Sequence, residues 1–211
     1  MIEKNDRVGR KILPRIKDAR RVSDYWARKA RQENYPARSV YKLKEVDLKH
    51  HLLKPGSRVL DLGSAPGGWM AYSSERIGPK GLVVGLDLNR LKIKLNANMR
   101  FIQANVLEIE PEILLEYKPF DLVLSDMAPA TTGTKEADQA RSLELAMTAL
   151  NLSQVLLNQG GAFLVKVFEG PDVSDFFKDL RQLFRSVRRV KPKSSRRFSS
   201  ELFGLGLIFK G

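Results

Sequence analysis

The stretch that decides the fold runs from Val59 to Trp69 and reads VLDLGSAPGGW. Its first four residues form a short apolar run that is typical of a buried strand, and the glycine-rich turn leads into a segment with helical spacing. Glycines in such a turn let the backbone approach a bound ligand closely. Because the loop has Pro66 in its middle and lacks the Gly-x-Gly-x-x-Gly spacing, the motif disfavours a dinucleotide-dependent oxidoreductase.

Short apolar runs recur along the rest of the chain, with helix-like or loop segments between most of them. They span residues 58–62, 82–88, 101–106, 120–125, 162–168, 186–190 and 202–209. The clearest helical patterns cover residues 39–53, 68–76, 137–158 and 173–184. Such alternation predicts an α/β fold with a seven-stranded, mostly parallel sheet and helices on both faces, because parallel neighbours need a crossover connection. The last two runs have no helix between them, so we expect the last strand to be antiparallel.

Polar side chains follow the first three predicted strands at the edge where open α/β sheets bind ligands. The second strand ends at Asp87, whose carboxylate can accept hydrogen bonds from both hydroxyls of a ribose. At the end of the third lies Asn105, whose amide can pair with an adenine edge. Taken singly, the glycine turn is also consistent with tight strand–helix packing, and Asp87 with a turn cap. Together, in this order, they predict a site for an adenosine-containing ligand.

A lysine in an apolar strand indicates a second polar site. Lys166 lies within the run FLVKVF, where burial without a partner is costly. Asp126, which follows the neighbouring strand, is the natural partner. A purely structural ion pair is the alternative, although such pairs are weak stabilisers. Lys42 and Glu201 lie outside the strand cores, and each alone is consistent with a routine surface charge.

Net charge and composition indicate the class of partner. The 211 residues carry a formal charge of +13 and no cysteine. Residues 1–55 hold 16 Lys and Arg against 7 acids, residues 56–175 hold 11 against 15, and residues 176–211 hold 10 against 2. Two basic ends around an acidic middle favour nucleic acid over a membrane as partner, solvated tails being the alternative. Without cysteine, a thiol nucleophile and cysteine-bound zinc are excluded, and no run approaches the length of a membrane span.

Five segments in register carry a resemblance to a known family. They are RSVYKL (38–43), VLDLGSAPGGW (59–69), LVLSDMAPATTGT (122–134), LVKVFEG (164–170) and KPKSSRRFSSELF (191–203). In this order they resemble the FtsJ/RrmJ-type ribosomal RNA 2′-O-methyltransferases over about residues 36–211. The resemblance implies a Rossmann-like S-adenosylmethionine-dependent methyltransferase domain there, and leaves residues 1–35 as a basic N-terminal extension that we expect to lie apart from the core.

The resemblance also implies roles for individual residues. The family's catalytic Lys-Asp-Lys-Glu set falls on Lys42, Asp126, Lys166 and Glu201. The cofactor S-adenosyl-L-methionine is expected to be held by Gly63, Pro66, Gly68, Trp69, Asp87, Asn105 and Asp126. The family usually has an acid where this chain has Asn105, so we expect a changed contact there. Our hypothesis is that Lys166 accepts the proton and that Asp126 orients Lys166. Lys42 holds the target hydroxyl, and Glu201 supports the geometry of the lysines.

The expected substrate follows from the same resemblance. It implies a uridine in the A loop of 23S ribosomal RNA, within the large ribosomal subunit. The absence of cysteine disfavours methylation at a pyrimidine carbon, and the Asp126-Met-Ala-Pro129 loop lacks the Pro-Pro-aromatic pattern of amino methyltransferases. Transfer RNA or another RNA as substrate, or a non-catalytic ribosome-assembly factor on the same fold, remain alternatives. We expect a cytoplasmic monomer that uses no metal and binds no membrane.

Overall fold

The computed structural model describes residues 17–196 and 199–211, with side chains from residue 25 onward. The helices are α1 Lys17–Gln32, α2 Val40–His50, α3 Gly68–Ile77, α4 Glu112–Leu115, α5 Lys135–Leu156 and α6 Val173–Leu183. The strands are β1 Arg58–Leu62, β2 Leu82–Asp87, β3 Met99–Gln103, β4 Phe120–Ser125, β5 Leu157–Phe168, β6 Phe184–Val190 and β7 Glu201–Phe209. In the described part of the chain, no helix combines the length and apolar character needed to cross a membrane.

The seven strands form one sheet in the order β3-β2-β1-β4-β5-β7-β6. Strands β1 to β5 pair in parallel, whereas β7 runs antiparallel to both β5 and β6. This confirms the predicted fold class, including the antiparallel last strand. The strand β3 begins at Met99, two residues before the predicted start, because Met99 is buried beside β2. Because β3 ends at Gln103, Asn105 lies in the loop after the strand.

Side chains from the two faces of the sheet form two hydrophobic clusters. Along β1, Leu60 and Leu62 enter the cluster formed with α4, α5 and α6, whereas Val59 enters the cluster formed with α2 and α3. This alternation is the expected consequence of the two-residue period of a strand. Because the strands are covered on both sides, their sequences are almost continuously apolar, as in other parallel sheets. Helices on both faces were predicted and are confirmed.

The end of α1 and the residues after it belong to this second cluster. Ala30 and Tyr35 are buried there, and the ring of Trp26 lies 4.8 Å from that of Tyr41 on α2. The expectation that residues 1–35 lie apart from the core is therefore wrong for residues 26–35. Its physical reason is a contact between α1 and α2 that the polar sequence of α1 conceals. Residues 1–16 lie outside the described part of the chain.

One core position is occupied by an unsatisfied carboxyl group. Asp61 on β1 is fully buried, and neither of its carboxylate oxygens has a hydrogen-bond partner among the described residues. Another buried acid, Asp47, accepts hydrogen bonds from the Leu53 amide and the Tyr72 hydroxyl. Burial raises the pKa of Asp61 well above its ordinary value of 3.8, and the nearby Asp126 and Asp87 carboxylates raise it further. The ionised form of Asp61 is thus disfavoured in the folded protein.

We predict that Asp61→Asn gains stability relative to the wild type as the pH rises from 5 to 8. The folded wild type binds more protons than the unfolded chain between the two pKa values of Asp61, so its stability falls as the pH rises through that window. Each unit by which the pKa is raised costs about 1.4 kcal/mol once the group is ionised in both states. Urea unfolding at several pH values, without added ligands, measures this difference.

The control for this prediction is Asp175→Asn on the exposed surface of α6. Its stability difference from the wild type should be nearly independent of pH. If the free energies of unfolding of Asp61→Asn and of the wild type changed in parallel between pH 5 and 8, the burial argument would be contradicted.

Candidate active site

Three neighbouring strands and one helix bring the four predicted catalytic residues to one edge of the sheet. Asp126 follows the last residue of β4, and Lys166 lies near the end of β5. Because β7 is antiparallel to β5, its first residue, Glu201, pairs with Phe168 at this same edge. Lys42 comes from the first turn of α2, which packs on the face of the sheet that α3 also covers. The topology therefore unites residues that are up to 159 positions apart in sequence.

These four side chains form a continuous chain of alternating charges. The Lys166 Nζ atom lies 3.0 Å from Asp126 Oδ1 and donates to the Asp126 main-chain oxygen at 2.6 Å. The Lys42 Nζ atom lies 3.5 Å from the same Asp126 Oδ1 and 2.5 Å from Glu201 Oε2. Asp126 thus joins the two lysines, and Lys42 joins the two acids. We call Lys42, Asp126, Lys166 and Glu201 the tetrad.

The tetrad is sheltered but still open to a ligand. The Lys166 side chain is 6% exposed, whereas those of Lys42 and Asp126 are 12% and 14% exposed. Removing ions from water is costly, and the attraction within a buried pair offsets that cost only when the geometry is good. Two positive and two negative groups in direct contact meet this condition while leaving one side of the cluster accessible.

Two further contacts hold the Lys42–Glu201 end of the tetrad. The buried Ser195 hydroxyl donates to Glu201 Oε1 at 2.7 Å, which leaves Oε2 directed at Lys42. The ring of Phe203 lies 5.6 Å from Lys42 Nζ and stacks on Trp69. Sequence reasoning missed Ser195, because it is one of four serines between residues 194 and 200 and no local pattern distinguishes it.

A cleft of about 340 Å³ begins at Asp126 and extends over the ends of β1, β2 and β3. It is lined by Gly63, Ala65, Leu86, Asp87, Leu88, Asn89, Ala104, Asn105, Val106, Asp126, Met127, Ala128 and Leu145. Gly63 has a φ of +77°, and a Cβ atom there would lie 2.6 Å from Met127 Cγ. A side chain at this position would therefore displace the loop that follows β4. The cleft and the tetrad share Asp126, so a ligand in the cleft lies next to both lysines.

The polar groups of the cleft are held in place by the backbone. Asp87 accepts hydrogen bonds from the Ala65 amide at 2.9 Å and from the Asn89 amide at 2.7 Å, one on each carboxylate oxygen. Asn105 Oδ1 accepts from the Leu107 amide, and its Nδ2 group donates to Glu108. Asp87 Oδ1 also accepts from the Asn89 side-chain amide at 3.2 Å, so Asp87 Oδ2 and Asn105 Oδ1 are the oxygens that keep a second lone pair for a ligand. Because the Asp126 carboxylate is in contact with two lysines, it is the Asp87 carboxylate that makes this cleft suited to a cationic ligand.

Three predicted cofactor residues lie beside the cleft rather than on its wall. Trp69 is 3% exposed, and its indole N–H donates to the Ser39 main-chain oxygen at 2.9 Å. Pro66 offers its carbonyl oxygen to the Lys92 amide, and Gly68 is the first residue of α3. In this structure these residues connect the glycine turn to its surroundings, and contact with a cofactor stays a prediction for each of them.

Comparisons with known proteins identify the family. The profile of the FtsJ-like methyltransferases matches residues 35–209. A protein named ribosomal RNA large subunit methyltransferase E from Oleidesulfovibrio alaskensis is 49% identical over 91% of this chain and 94% of its own length. Its namesake from Bdellovibrio bacteriovorus is 44% identical over 89% of this chain and 97% of its own.

Solved structures agree with this result. A Plasmodium falciparum protein described as a ribosomal RNA methyltransferase superposes with a TM-score of 0.73 at 28% identity, covering 84% of this chain and all of its own. Aeropyrum pernix fibrillarin, solved with bound S-adenosyl-L-methionine, gives a TM-score of 0.58 at 18% identity, covering 80% of this chain and 76% of its own. The second match supports the fold alone. On the strength of the profile and the curated relatives, the chain belongs to the FtsJ-like methyltransferase family.

Proposed function

We propose that this protein transfers a methyl group from S-adenosyl-L-methionine to the 2′-hydroxyl of a ribose in large-subunit ribosomal RNA. The observation that carries the proposal is the position of Asp126, which lines the cleft and contacts both lysines of the tetrad. A methyl donor in the cleft would thus lie beside the groups that handle the acceptor hydroxyl. The substrate class is supported by the names of the curated relatives.

The cleft fits the chemical groups of this cofactor. Asp87 can accept from the two ribose hydroxyls of the adenosine, and the Asn105 carbonyl oxygen can accept from the adenine amino group. The methionine part carries an ammonium group and a sulfonium, and the Asp87 carboxylate, which lines the cleft, gives this region the opposite charge.

When bound, S-adenosyl-L-methionine supplies an electrophilic methyl group. In the transfer, a bond forms between the ribose oxygen and the methyl carbon, the carbon–sulfur bond breaks with its electron pair going to sulfur, and the hydroxyl proton must leave the oxygen. The tetrad can orient the hydroxyl and accept this proton, which are the two tasks that a weak oxygen nucleophile requires.

The contacts within the tetrad assign these tasks to individual residues. Asp126 holds Lys166 through its carboxylate and its main-chain oxygen, which leaves one N–H position or the lone pair of the Lys166 amine for the ribose oxygen. In its neutral form Lys166 accepts the proton, and Asp126 stabilises the resulting ammonium. Lys42, held by Glu201, donates to the ribose oxygen and orients it. With Lys166 neutral, the tetrad carries one positive and two negative charges, and its charges balance when Lys166 takes the proton.

We further propose that the acceptor is a uridine in the A loop of 23S ribosomal RNA, that the assembled large subunit is the substrate, and that the enzyme acts as a cytoplasmic monomer. The similarity to proteins named for the large ribosomal subunit supports the first two points, and the basic ends of the chain support a large polyanionic substrate. Mapping the modified nucleotide after transfer to isolated subunits tests the target directly. If only transfer RNA were methylated, the proposal of a ribosomal RNA acceptor would be wrong.

Lys166→Ala should lower the rate of methyl transfer about 100-fold to 10,000-fold, because it removes the proton acceptor. Binding of S-adenosyl-L-methionine and of ribosomal subunits should change little, since Lys166 is only 6% exposed and lies beyond the cleft wall. Single-turnover transfer of tritiated methyl groups to large ribosomal subunits gives the rate, and calorimetry gives the cofactor affinity.

The matched control is Lys178→Ala on the exposed surface of α6, whose only described ion pair is with Asp175. It should transfer methyl groups at the wild-type rate. If Lys166→Ala kept this rate as well, the proposed role of the tetrad would be wrong. If the wild type transferred no methyl group to any RNA, the proposed function itself would fail.

Asp87→Ala should weaken the binding of S-adenosyl-L-methionine roughly 10-fold or more, because hydrogen bonds to a charged acceptor are stronger than neutral ones. Calorimetric titration measures the change, with Asp175→Asn as the control. Methylation at saturating cofactor should recover most of the lost rate, since Asp87 lies away from the tetrad. An unchanged cofactor affinity of Asp87→Ala would contradict the prediction that Asp87 binds the cofactor.

A further inference from the structure

Helix α1 presents two neighbouring stripes of side chains, of which one packs on α2 and the other is mostly exposed within the part of the chain that the structure describes. Trp26, Ala30 and Glu33 lie at helical spacing and face α2, where Ala30 is buried and Glu33 forms an ion pair with Lys44 at 2.7 Å. The other stripe consists of Tyr25, Arg28, Lys29 and Gln32, which follow the i, i+3, i+4, i+7 pattern of a single helix face. We call this second stripe the open face of α1.

The open face combines an exposed aromatic ring with cationic groups. Tyr25 is 49% exposed, and Arg28 and Gln32 are also exposed. Together with Glu33, the four residues line a shallow depression of about 310 Å³. Residues 25–32 of α1 include Arg28, Lys29 and Arg31 and no acid, so this part of the helix attracts a polyanion.

The packed stripe fixes the open face relative to the tetrad. The ring of Tyr25 meets that of Trp26 edge-on at 5.1 Å, and Trp26 lies 4.8 Å from Tyr41. Lys29 adds to this arrangement, since its Nζ atom lies 5.1 Å from the centre of the Tyr41 ring. Tyr41 directly precedes Lys42 on α2. Two ring contacts therefore lead from the open face to Tyr41, the residue that precedes Lys42 of the tetrad.

We propose that the open face of α1 binds an unpaired nucleotide of the RNA substrate, with its base stacked on Tyr25 and an adjacent phosphate on Arg28. Stacking on aromatic rings and pairing of phosphates with arginine are the usual contacts of single-stranded RNA. Charge complementarity selects RNA, because an apolar protein partner would gain little from Arg28, Lys29 and Gln32. The inference rests on the proposed function, and it adds a binding surface that lies outside both the tetrad and the cofactor cleft.

The test measures kcat and KM for isolated large ribosomal subunits and for protein-free ribosomal RNA. Tyr25→Ala should raise KM about 10-fold and leave kcat and cofactor affinity unchanged, because one base–aromatic stack is lost. Tyr25→Phe should behave like the wild type, and Tyr25→Leu like Tyr25→Ala, although leucine retains an apolar side chain. Thermal unfolding of each variant separates loss of stacking from loosening of α1.

Arg28→Gln tests the phosphate contact. It should raise KM and reduce the slope of log KM against log salt concentration by about 1, since one phosphate contact is removed. The control is Lys80→Gln just before β2, which removes one positive charge from an exposed position outside the two basic ends and should leave this slope unchanged.

The outcomes separate this proposal from the proposed function. If the wild type and Lys80→Gln methylate the subunits and Tyr25→Ala has the same KM, only the role of the open face is overturned. A fall in kcat without a change in KM would instead make α1 a support for Lys42, which also contradicts the proposal. An effect on assembled subunits that vanishes on protein-free RNA would assign the face to a ribosomal protein and overturn RNA as its occupant.

Discussion

The contact of one carboxylate with two lysines is the constraint on which the site depends. Asp126 stands where β4 ends, and its side chain reaches Lys166 on the next strand and Lys42 on a helix above the sheet. Without this acid, two ammonium groups would share a sheltered pocket with a single counter-ion, Glu201. The same residue lines the cleft, so one side chain belongs both to the wall of the cleft and to the lysine cluster.

The sequence predicted those parts of the site that follow from strand ends. Asp87 and Asp126 could be placed at one edge of the sheet because parallel strands share their carboxyl ends, and Lys166 stood out as a charge within an apolar run. Lys42 and Glu201 could not be placed in this way. They are 159 residues apart, and only the packing of α2 and the antiparallel pairing of β7 bring them together. The resemblance to a family, rather than a local pattern, identified them.

The other features of the structure that the sequence did not predict have the same cause. They depend on tertiary packing, for which the local sequence carries no signal. Helix α1 has a polar sequence, and its contact with the core depends on Trp26 meeting Tyr41 across two helices. The indole N–H of Trp69 donates to Ser39 and its ring stacks on Phe203, two contacts that were not predicted, while its contact with a cofactor stays a prediction. Ser195 supports Glu201 from a loop rich in serine. In each case the partner is distant in sequence, so periodicity and motif spacing could not reveal it.

The central position of β7 has a consequence for the order in which the molecule is completed. This strand comes last in sequence among the seven, yet it lies between β5 and β6 and pairs with both. During synthesis the facing edges of β5 and β6 therefore stay unpaired until β7 has left the ribosome, and exposed edges of this kind invite unwanted pairing. Because Glu201 is the first residue of β7, the same event that closes the sheet also completes the tetrad. A nascent chain that has not yet formed β7 thus lacks the contact between Glu201 and Lys42.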